Sequence, residues 1–562
     1  MLRKGTYLRI NDRVLSIGPK VTLIFKFVFV HLTSIAARLF FIKYHLTMLN
    51  LSVILDDSAK RYPAKAAFTF MDTTLSYAEV NAAANRVANG LISKGIKAGD
   101  KVALSCLNLL QFPIIYFGII KTGAVVVPLS VLLKKDEIEY HLKDSDATAY
   151  CCFTGTPDLP MGEMGYAAFN AVDSCEHFFM IMPSAEIPSS IKGTATLGNL
   201  MEGQSPFFEM YQSNAEDTCV IIYTSGTTGR PKGAELTHAN LLFNAIISCG
   251  LMDATLNDTA LIVLPLFHIF GMTVMMNALI YKGGSSILLA RFDAPKVFGL
   301  MQQHDVTLFA GVPTMYWGLL NCTDTSLDYN SIAATLKICL SGGASLPVQV
   351  LKDFEQRFNV PVIEGYGMSE GSPVVTFNQL ESGRKPGSIG TTVWGVEVKL
   401  VDTAGIEVPV GEKGELLYRG HNVMKGYYKK PEETAKALQN GWMHSGDIAM
   451  KDEDGFYYIV DRTKDMIIRG GLNIYPREVE EVMIQHEAVS LVAVIGIPHN
   501  EMGEEVKAFV VLKENITITA SDLIAWTKEH IAAYKYPRHI EFLTALPMSA
   551  TGKILKKELR KS

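Results

Sequence analysis

Between residues 101 and 130 the chain reads KVALSCL, then FPIIYFGIIKTGA, then VVVPLS: an apolar run, an apolar segment of helical length, and a second apolar run. Parallel strands need a long crossover between them, usually a helix, so this order predicts a βαβ unit buried on both faces. The rhythm recurs at TALIVLP (259–265), SSILLAR (285–291), VTLFAGVP (306–313), TLKICLSGG (335–343) and PVIEGYG (361–367), with Gly, Pro or polar residues after each apolar run. Repetition of this kind predicts a layered α/β fold with ligand sites at the C-terminal ends of the strands. SYAE at 76–79 is a capping box that opens a helix with Val80, Ala84, Val87 and Leu91 on one side and Gly95 at its end. Leu51, Ile54, Leu55 and Ala59 predict an earlier helix.

One loop in this scheme has an unusual composition. YTSGTTGRPKGAE (223–235) follows the apolar run CVIIY, and its glycines at 226, 229 and 233 let backbone N–H groups converge on an anion. Thr224, Ser225, Thr227 and Thr228 add neutral donors, and Lys232 adds a flexible point charge. A polyphosphate site and an ordinary surface turn both fit this composition. A Walker-type loop does not, because the place of its second glycine falls on Pro231 counted from Gly226 and on Ala234 counted from Gly229. LPLFH, SGGA and EGYGMSE also follow strand ends, so several loops are expected to share one cleft.

The length of 562 residues predicts at least two domains, and 48% hydrophobic with 19% charged residues is a soluble globular composition. A formal charge of −5 and the lack of a basic patch with interleaved aromatics argue against nucleic acid as a partner. The eight cysteines contain no CxxC pair and read as reduced core thiols of a cytoplasmic protein. Residues 1–47 carry eight Lys or Arg against Asp12 alone, and VTLIFKFVFVHLTSIAARLFFI (21–42) is interrupted by Lys26, His31 and Arg38. That pattern makes a poor membrane span and a poor secretory signal. A basic interfacial helix, a marginal anchor and an upstream extension of a chain starting at Met48 remain as readings, and the third is the expectation adopted.

From about residue 384 the texture becomes short strands rich in glycine, as in GSIGTTVWGVEVKLVDTAG, GELLYRG and GFYYIVDR, which predicts a smaller β-rich lobe. From about 465 it returns to mixed α/β, with a helix at PREVEEVMIQH and strands at LVAVIGIP and EVKAFVVLK. Seven motifs then stand in order: YTSGTTGRPKGAELTH (223–238), LPLFHIFG (264–271), SGGASLP (341–347), EGYGMSE (364–370), GWMHSGD (441–447), DRTKDMIIRGGLNIYPREVE (461–480) and PMSATGKILKKELR (547–560). Together they resemble the adenylate-forming superfamily of acyl-CoA synthetases, luciferases and peptide-synthetase adenylation domains. Within it the chain from Met48 onward is most similar to bacterial long-chain fatty-acid–CoA ligases. The resemblance implies a large N-terminal domain of two α/β subdomains plus a distorted β-barrel, and a small mobile α+β C-terminal domain. The expected boundaries are 48–461, a hinge at 462–464, and 465–562.

A carboxylate is a weak electrophile, and the chemistry the resemblance implies is its activation by ATP to an acyl-adenylate followed by transfer to the CoA thiol. Positioning and charge stabilisation are the protein's share of such a step. By resemblance, Thr224, Ser225, Gly226, Thr227, Thr228 and Lys232 cradle the β- and γ-phosphates. Glu370 ligates Mg²⁺, which favours one carboxylate plus phosphate oxygens. Gly343, Ala344, Glu364, Gly365, Tyr366 and Ser369 line the nucleotide site. Asp447 holds the ribose hydroxyls with Arg462 assisting, MHSGD standing there for the commoner YTGD. Lys553 bridges the acid's carboxylate and the α-phosphate, and His268 borders the carboxylate site. Rotation about Lys464 then withdraws Lys553 and presents Gly470 and Gly471 to the pantetheine channel. The acyl pocket is expected among 271–280, 310–320 and the SGGA loop. The cofactor and partner expectations are ATP, Mg²⁺, CoA and a fatty acid. A homodimer and peripheral contact with the inner face of the membrane stay open. So do a fatty acyl-AMP ligase serving a carrier protein and a medium-chain or aryl acid CoA ligase.

Overall fold

The computed structural model describes residues 48–184, 186–224, 230–381, 383–462 and 464–561, together with the backbone of a paired hairpin, Thr6–Ile10 and Arg13–Ile17. The apolar segment 21–42 and the phosphate-loop residues Ser225, Gly226, Thr227 and Thr228 lie outside the described residues.

Two large sheets carry the predicted βαβ rhythm. An eight-stranded sheet has a parallel centre containing Lys101–Ser105, Val125–Pro128 and Ala147–Phe153. It extends through Thr218–Thr224 to the antiparallel edge strands Lys232–Thr237 and Gly426–Tyr427. A nine-stranded sheet runs parallel through Val362–Gly367, Ile338–Ser341, Leu308–Gly311, Thr259–Ile262, Ser285–Leu288 and Ala66–Phe70. The helix Gln111–Lys121 lies in the core with every residue from Phe112 to Ile120 buried, as expected of a helix apolar on all sides. The helix Tyr77–Ser93 packs on it, and Ser76 and Glu79 form both halves of the predicted capping box. Val80, Ala84, Val87 and Leu91 are its buried side.

The segment 271–280 expected to line the acyl pocket is wound as a π-helix, Phe270–Asn277, continued by Ala278–Lys282. Met272, Met275 and Met276 are fully buried core, so the acyl-pocket expectation for this segment fails for its methionines. π-turns inside helices cluster at functional sites, and this one begins two residues after His268.

The β-rich lobe is a five-stranded antiparallel sheet of Val396–Val401, Lys413–Gly420, Trp442–Lys451 and Leu438–Gln439, with Tyr457–Arg462 paired to Trp442–Lys451. Trp442–Lys451, which contains all of the GWMHSGD motif after Gly441, is a strand that hydrophobic alternation did not disclose. The small C-terminal domain has its own sheet, built round Val489–His499 and Gly503–Leu512, with the helices Pro476–Met483 and Ala520–His530. Its apolar clusters start at Ile467, whereas the main core runs from Leu51 to Tyr457.

Candidate active site

The loops that follow the parallel strands of the nine-stranded sheet open into one cavity of about 2030 Å³. Its walls include His268, Gly343, Ala344, Ser369 and Glu370 from those loops, Glu364, Gly365 and Tyr366 from the strand Val362–Gly367, and Thr224 and Lys232 from the other large sheet. Asp447, Arg462, Lys464 and Lys553 complete it from the β lobe and the C-terminal domain. Gly470 and Gly471 are not among its lining residues. They form the positive-φ turn between Ile467–Arg469 and Leu472–Ile474.

Two antiparallel strands flank the phosphate-type loop. Thr224 lies opposite Lys232 in the antiparallel pair Thr218–Thr224 and Lys232–Thr237, so both ends of the loop are held by one ladder. From that ladder the Thr224 hydroxyl donates to Glu370 Oε1 at 3.1 Å, and the Tyr427 hydroxyl donates to the same oxygen at 2.8 Å. The Lys232 ammonium stands over the Tyr427 ring, 5.0 Å from its centroid. Glu370 itself is buried, and no cationic side chain lies within ion-pair distance of it among the described residues. A buried carboxylate ringed by hydroxyls, beside a phosphate-type loop, fits a hard divalent cation that takes its remaining ligands from phosphate and water. Among the described residues there is no cluster of three potential metal ligands, so a cation here would depend on that shared coordination.

A second cluster is built on the pairing of Trp442–Lys451 with Tyr457–Arg462, which sets Asp447 opposite Arg462. The Arg462 Nε is 3.2 Å from Asp447 Oδ1, and the Tyr366 hydroxyl donates to Oδ2 at 2.6 Å. Burial and then the Asp447 charge push the Tyr366 phenol well above its ordinary range, so it stays a donor. The strand Val362–Gly367 that delivers Tyr366 runs too close to its neighbours for side chains. A Cβ on Gly365 would stand 2.0 Å from the Phe377 ring, and one on Gly367 would stand 1.9 Å from the Pro373 carbonyl oxygen. Glu364, at the start of this motif, is buried. Its Oε1 accepts from the Leu346 N–H at 3.0 Å, while Oε2 has no partner among the described residues. Burial raises its carboxyl to about 7, with Arg477 opposing.

The third cluster joins the two domains. Lys553, in the turn before Lys556–Leu559, enters the cavity wall with no carboxylate at ion-pair distance among the described residues. Burial first and the Arg462 charge second lower its ammonium to about 8, against the opposing pull of Asp447. Burial, reinforced by the nearby Lys553 charge, lowers His268 to about 4, so the imidazole is neutral near pH 7. Its Nδ1 accepts from the Phe270 N–H at 3.3 Å, leaving the other ring nitrogen for a partner.

Residues 55–428 match the family model described as AMP-binding enzyme, and residues 478–553 match the AMP-binding enzyme C-terminal domain. The chain belongs to the AMP-binding enzyme family. The family member described here is 37% identical to a long-chain-fatty-acid–CoA ligase of Bacillus subtilis over 534 residues, spanning 91% of this chain and 94% of that one. It is 36% identical to a feruloyl-CoA synthase of Amycolatopsis sp, spanning 90% of this chain and 97% of the other. Its structure matches that of an anthranilate CoA ligase complexed with anthranoyl-AMP with a TM-score of 0.85 at 31% identity, covering 92% of this chain and 97% of that one.

Two contacts of this AMP-binding enzyme escaped the sequence reading. Tyr427 touches the Glu370 carboxylate from the short edge strand Gly426–Tyr427, far along the chain and with no motif around it. Thr314 lies inside the 310–320 segment expected to line the acyl pocket and does line the cavity, but its bond to Gly552 carried no sequence signal. Among the described residues no helix is long and apolar enough to cross a membrane.

Proposed function

We propose that this AMP-binding enzyme is a long-chain fatty-acid–CoA ligase that performs two half-reactions in the cavity described above. As a class it is an AMP-forming acid–thiol ligase, with ATP and CoA as co-substrates. In the first half-reaction a carboxylate oxygen attacks the α-phosphorus of ATP, and the bond to the bridging oxygen of pyrophosphate breaks. In the second the CoA sulfur adds to the acyl carbonyl, its proton is lost, and AMP leaves with the C–O bonding pair.

The observation that carries the reading is the presence of Lys553, from the C-terminal domain, in the same cavity as His268, Asp447 and Glu370. A cation without an ion-pair partner, next to a neutral imidazole, offers the dianionic encounter of carboxylate and α-phosphate a preorganised positive site. Asp447, with Arg462 and Tyr366 fixing its two oxygens, is an acceptor suited to vicinal hydroxyls of ribose. Thr224 and Lys232 hold the two ends of the loop that receives the phosphate tail. Glu370, oriented by Thr224 and Tyr427, would hold Mg²⁺, which when bound supplies charge neutralisation on the phosphate oxygens.

Separate apolar cores on either side of residues 462–464 support a hinge there, between domains 48–461 and 465–562. Turning about Lys464 exchanges the Lys553 turn for the Gly470–Gly471 turn, which in the present arrangement is not among the cavity's lining residues.

Phe267, Phe270, Val274 and Trp317 give the cavity an apolar wall beyond His268, which supports an apolar acid. The Bacillus relative supports a fatty acyl chain, while the feruloyl-CoA synthase supports an aryl acid as the second reading. The test is acid-dependent exchange of pyrophosphate into ATP, and CoA ester formation, across acetate, octanoate, palmitate, oleate, benzoate and ferulate. The expected result is the highest kcat/KM with palmitate or oleate. Preference for ferulate or benzoate moves the enzyme to the second reading. Exchange with acyl transfer only to a phosphopantetheinyl carrier protein excludes CoA as acceptor.

A further inference from the structure

The Lys553 ammonium can serve adenylation only while its turn is seated on the N-terminal domain, and the contact that seats it is specific. The Thr314 hydroxyl donates to the Gly552 carbonyl at 2.8 Å, across 238 residues of sequence. Thr314 is in the first turn of the helix Pro313–Leu320, directly after the strand Leu308–Gly311, so a rigid parallel strand fixes its place. On the other side, the Ser549 N–H donates to the Lys553 carbonyl at 2.8 Å and the Lys553 N–H donates to Ser549 Oγ at 3.1 Å, closing a compact turn. Gly552 occupies the left-handed region at φ +76°, and a Cβ there would stand 2.9 Å from Val312 Cγ2 and 3.0 Å from Thr314 Oγ1. The turn therefore lies flat against Val312 and Thr314 because the residue before the lysine is glycine.

We propose that Thr314 is a positioning residue that latches the Lys553 turn into the cavity for the first half-reaction and plays no part in the second. The proposal rests on the two-step reading given above. A latch of one hydrogen bond is strong enough to bias the resting arrangement and weak enough to release when the C-terminal domain turns. Thr314 lines the cavity, and it acts through Lys553 because its hydroxyl is engaged with the Gly552 carbonyl. If the domain turns about Lys464, the latch opens and Thr314 is left without this partner, so thioester formation no longer depends on it.

The test compares wild type, Thr314→Val and Thr314→Ser in three measurements on the full chain. Pyrophosphate–ATP exchange reads the first half-reaction, and acyl-CoA formation from supplied palmitoyl-adenylate reads the second. Amide hydrogen exchange of the 547–556 segment without substrates reads the seating of the turn. In Thr314→Val the expected results are an exchange rate lower by about fivefold to tenfold, the worth of one hydrogen bond, and a second half-reaction within about twofold of wild type. The 547–556 amides should exchange faster while amides of the buried strands Leu308–Gly311 and Ile338–Ser341 do not change. Thr314→Ser, which keeps the hydroxyl, should restore all three. Equal loss in both half-reactions, faster exchange throughout the fold, or unchanged protection of 547–556 would each overturn the latch. Absence of pyrophosphate exchange in wild type with every acid would defeat the proposed function instead, and the hydrogen-exchange comparison would still decide whether Thr314 seats the turn.

Discussion

Replacing Glu364 with glutamine tests how the fold holds a carboxyl group at the head of the EGYG strand. One oxygen of Glu364 accepts the Leu346 N–H and the other is buried without a partner among the described residues. Burial consequently lifts the group from an ordinary 4.5 to about 7, with Arg477 pulling the other way. Because the folded value lies above the unfolded one, the native state binds this proton more tightly. The associated stability is present in full below about pH 4.5 and is lost as pH rises through about 7. Applying linkage to those two values, wild type loses about 2 kcal/mol from this one group between about pH 5.5 and about pH 8.5. Glutamine is neutral throughout and its amide oxygen can keep the Leu346 bond. The stability of Glu364→Gln relative to wild type should therefore improve by about 2 kcal/mol between the same two pH values. Urea unfolding followed by tryptophan fluorescence, at both pH values for both proteins, measures this double difference. A difference that does not change with pH, or one that moves in wild type's favour at high pH, refutes the account of a buried, strained carboxylate.

The Lys553 ammonium, lowered to about 8, should make pyrophosphate exchange fall about tenfold per pH unit above that value, because the charged form is the one that stabilises the transition state. Lys553→Gln should remove this alkaline limb and lower exchange by about 10²- to 10³-fold, while acyl transfer from supplied acyl-adenylate persists. An exchange rate that stays flat from about pH 8 to about pH 10 would contradict the assignment. Glu370→Gln should raise the Mg²⁺ concentration needed for half-maximal exchange by at least about tenfold, the lower end of what even outer-shell partners are worth. An unchanged Mg²⁺ requirement would remove Glu370 from the metal. Gly367→Ala places a Cβ 1.9 Å from the Pro373 carbonyl oxygen, and the backbone shift this forces should cost about 1–3 kcal/mol or more. A variant with wild-type thermal midpoint would show that this strand has more room than the geometry allows.

Much of the strand and helix order was legible because burial on both faces leaves continuous apolar runs, on which Lys101–Ser105, Val125–Pro128, Thr259–Ile262, Ser285–Leu288, Leu308–Gly311, Ile338–Ser341 and Val362–Gly367 fall; Ala66–Phe70, Ala147–Phe153 and His177–Ile181 were not read from the sequence. The helix Tyr77–Ser93 was legible to the residue because a capping box is a purely local signal. The strand Trp442–Lys451 was not, since its WMHSGDIAMK pattern carries Gly446 and Asp447 at positions fixed by the site and so breaks hydrophobic alternation. The π-helix at Phe270–Asn277 was also invisible, because periodicity cannot separate it from an α-helix over eight residues that are all buried. Of the candidate site, Thr224, Lys232, Glu364, Glu370, Asp447, Lys464 and Lys553 were named from motifs, and they share one cavity. Tyr427 and the Thr314–Gly552 bond were not, because those contacts exist only once the tertiary fold forms.

The two-residue strand Gly426–Tyr427 has a consequence out of proportion to its length. It completes the edge of a sheet whose other members all precede residue 238, so a late stretch of chain closes the margin beside the phosphate-type loop. Ending the polypeptide shortly before Gly426 would bare the hydrogen-bonding groups of Lys232–Thr237 and take away the phenol that steadies Glu370. A fragment containing every parallel strand of both large sheets would thus lose Met443, Ala449 and Tyr457 from the core and present an unfinished cleft with a sticky rim.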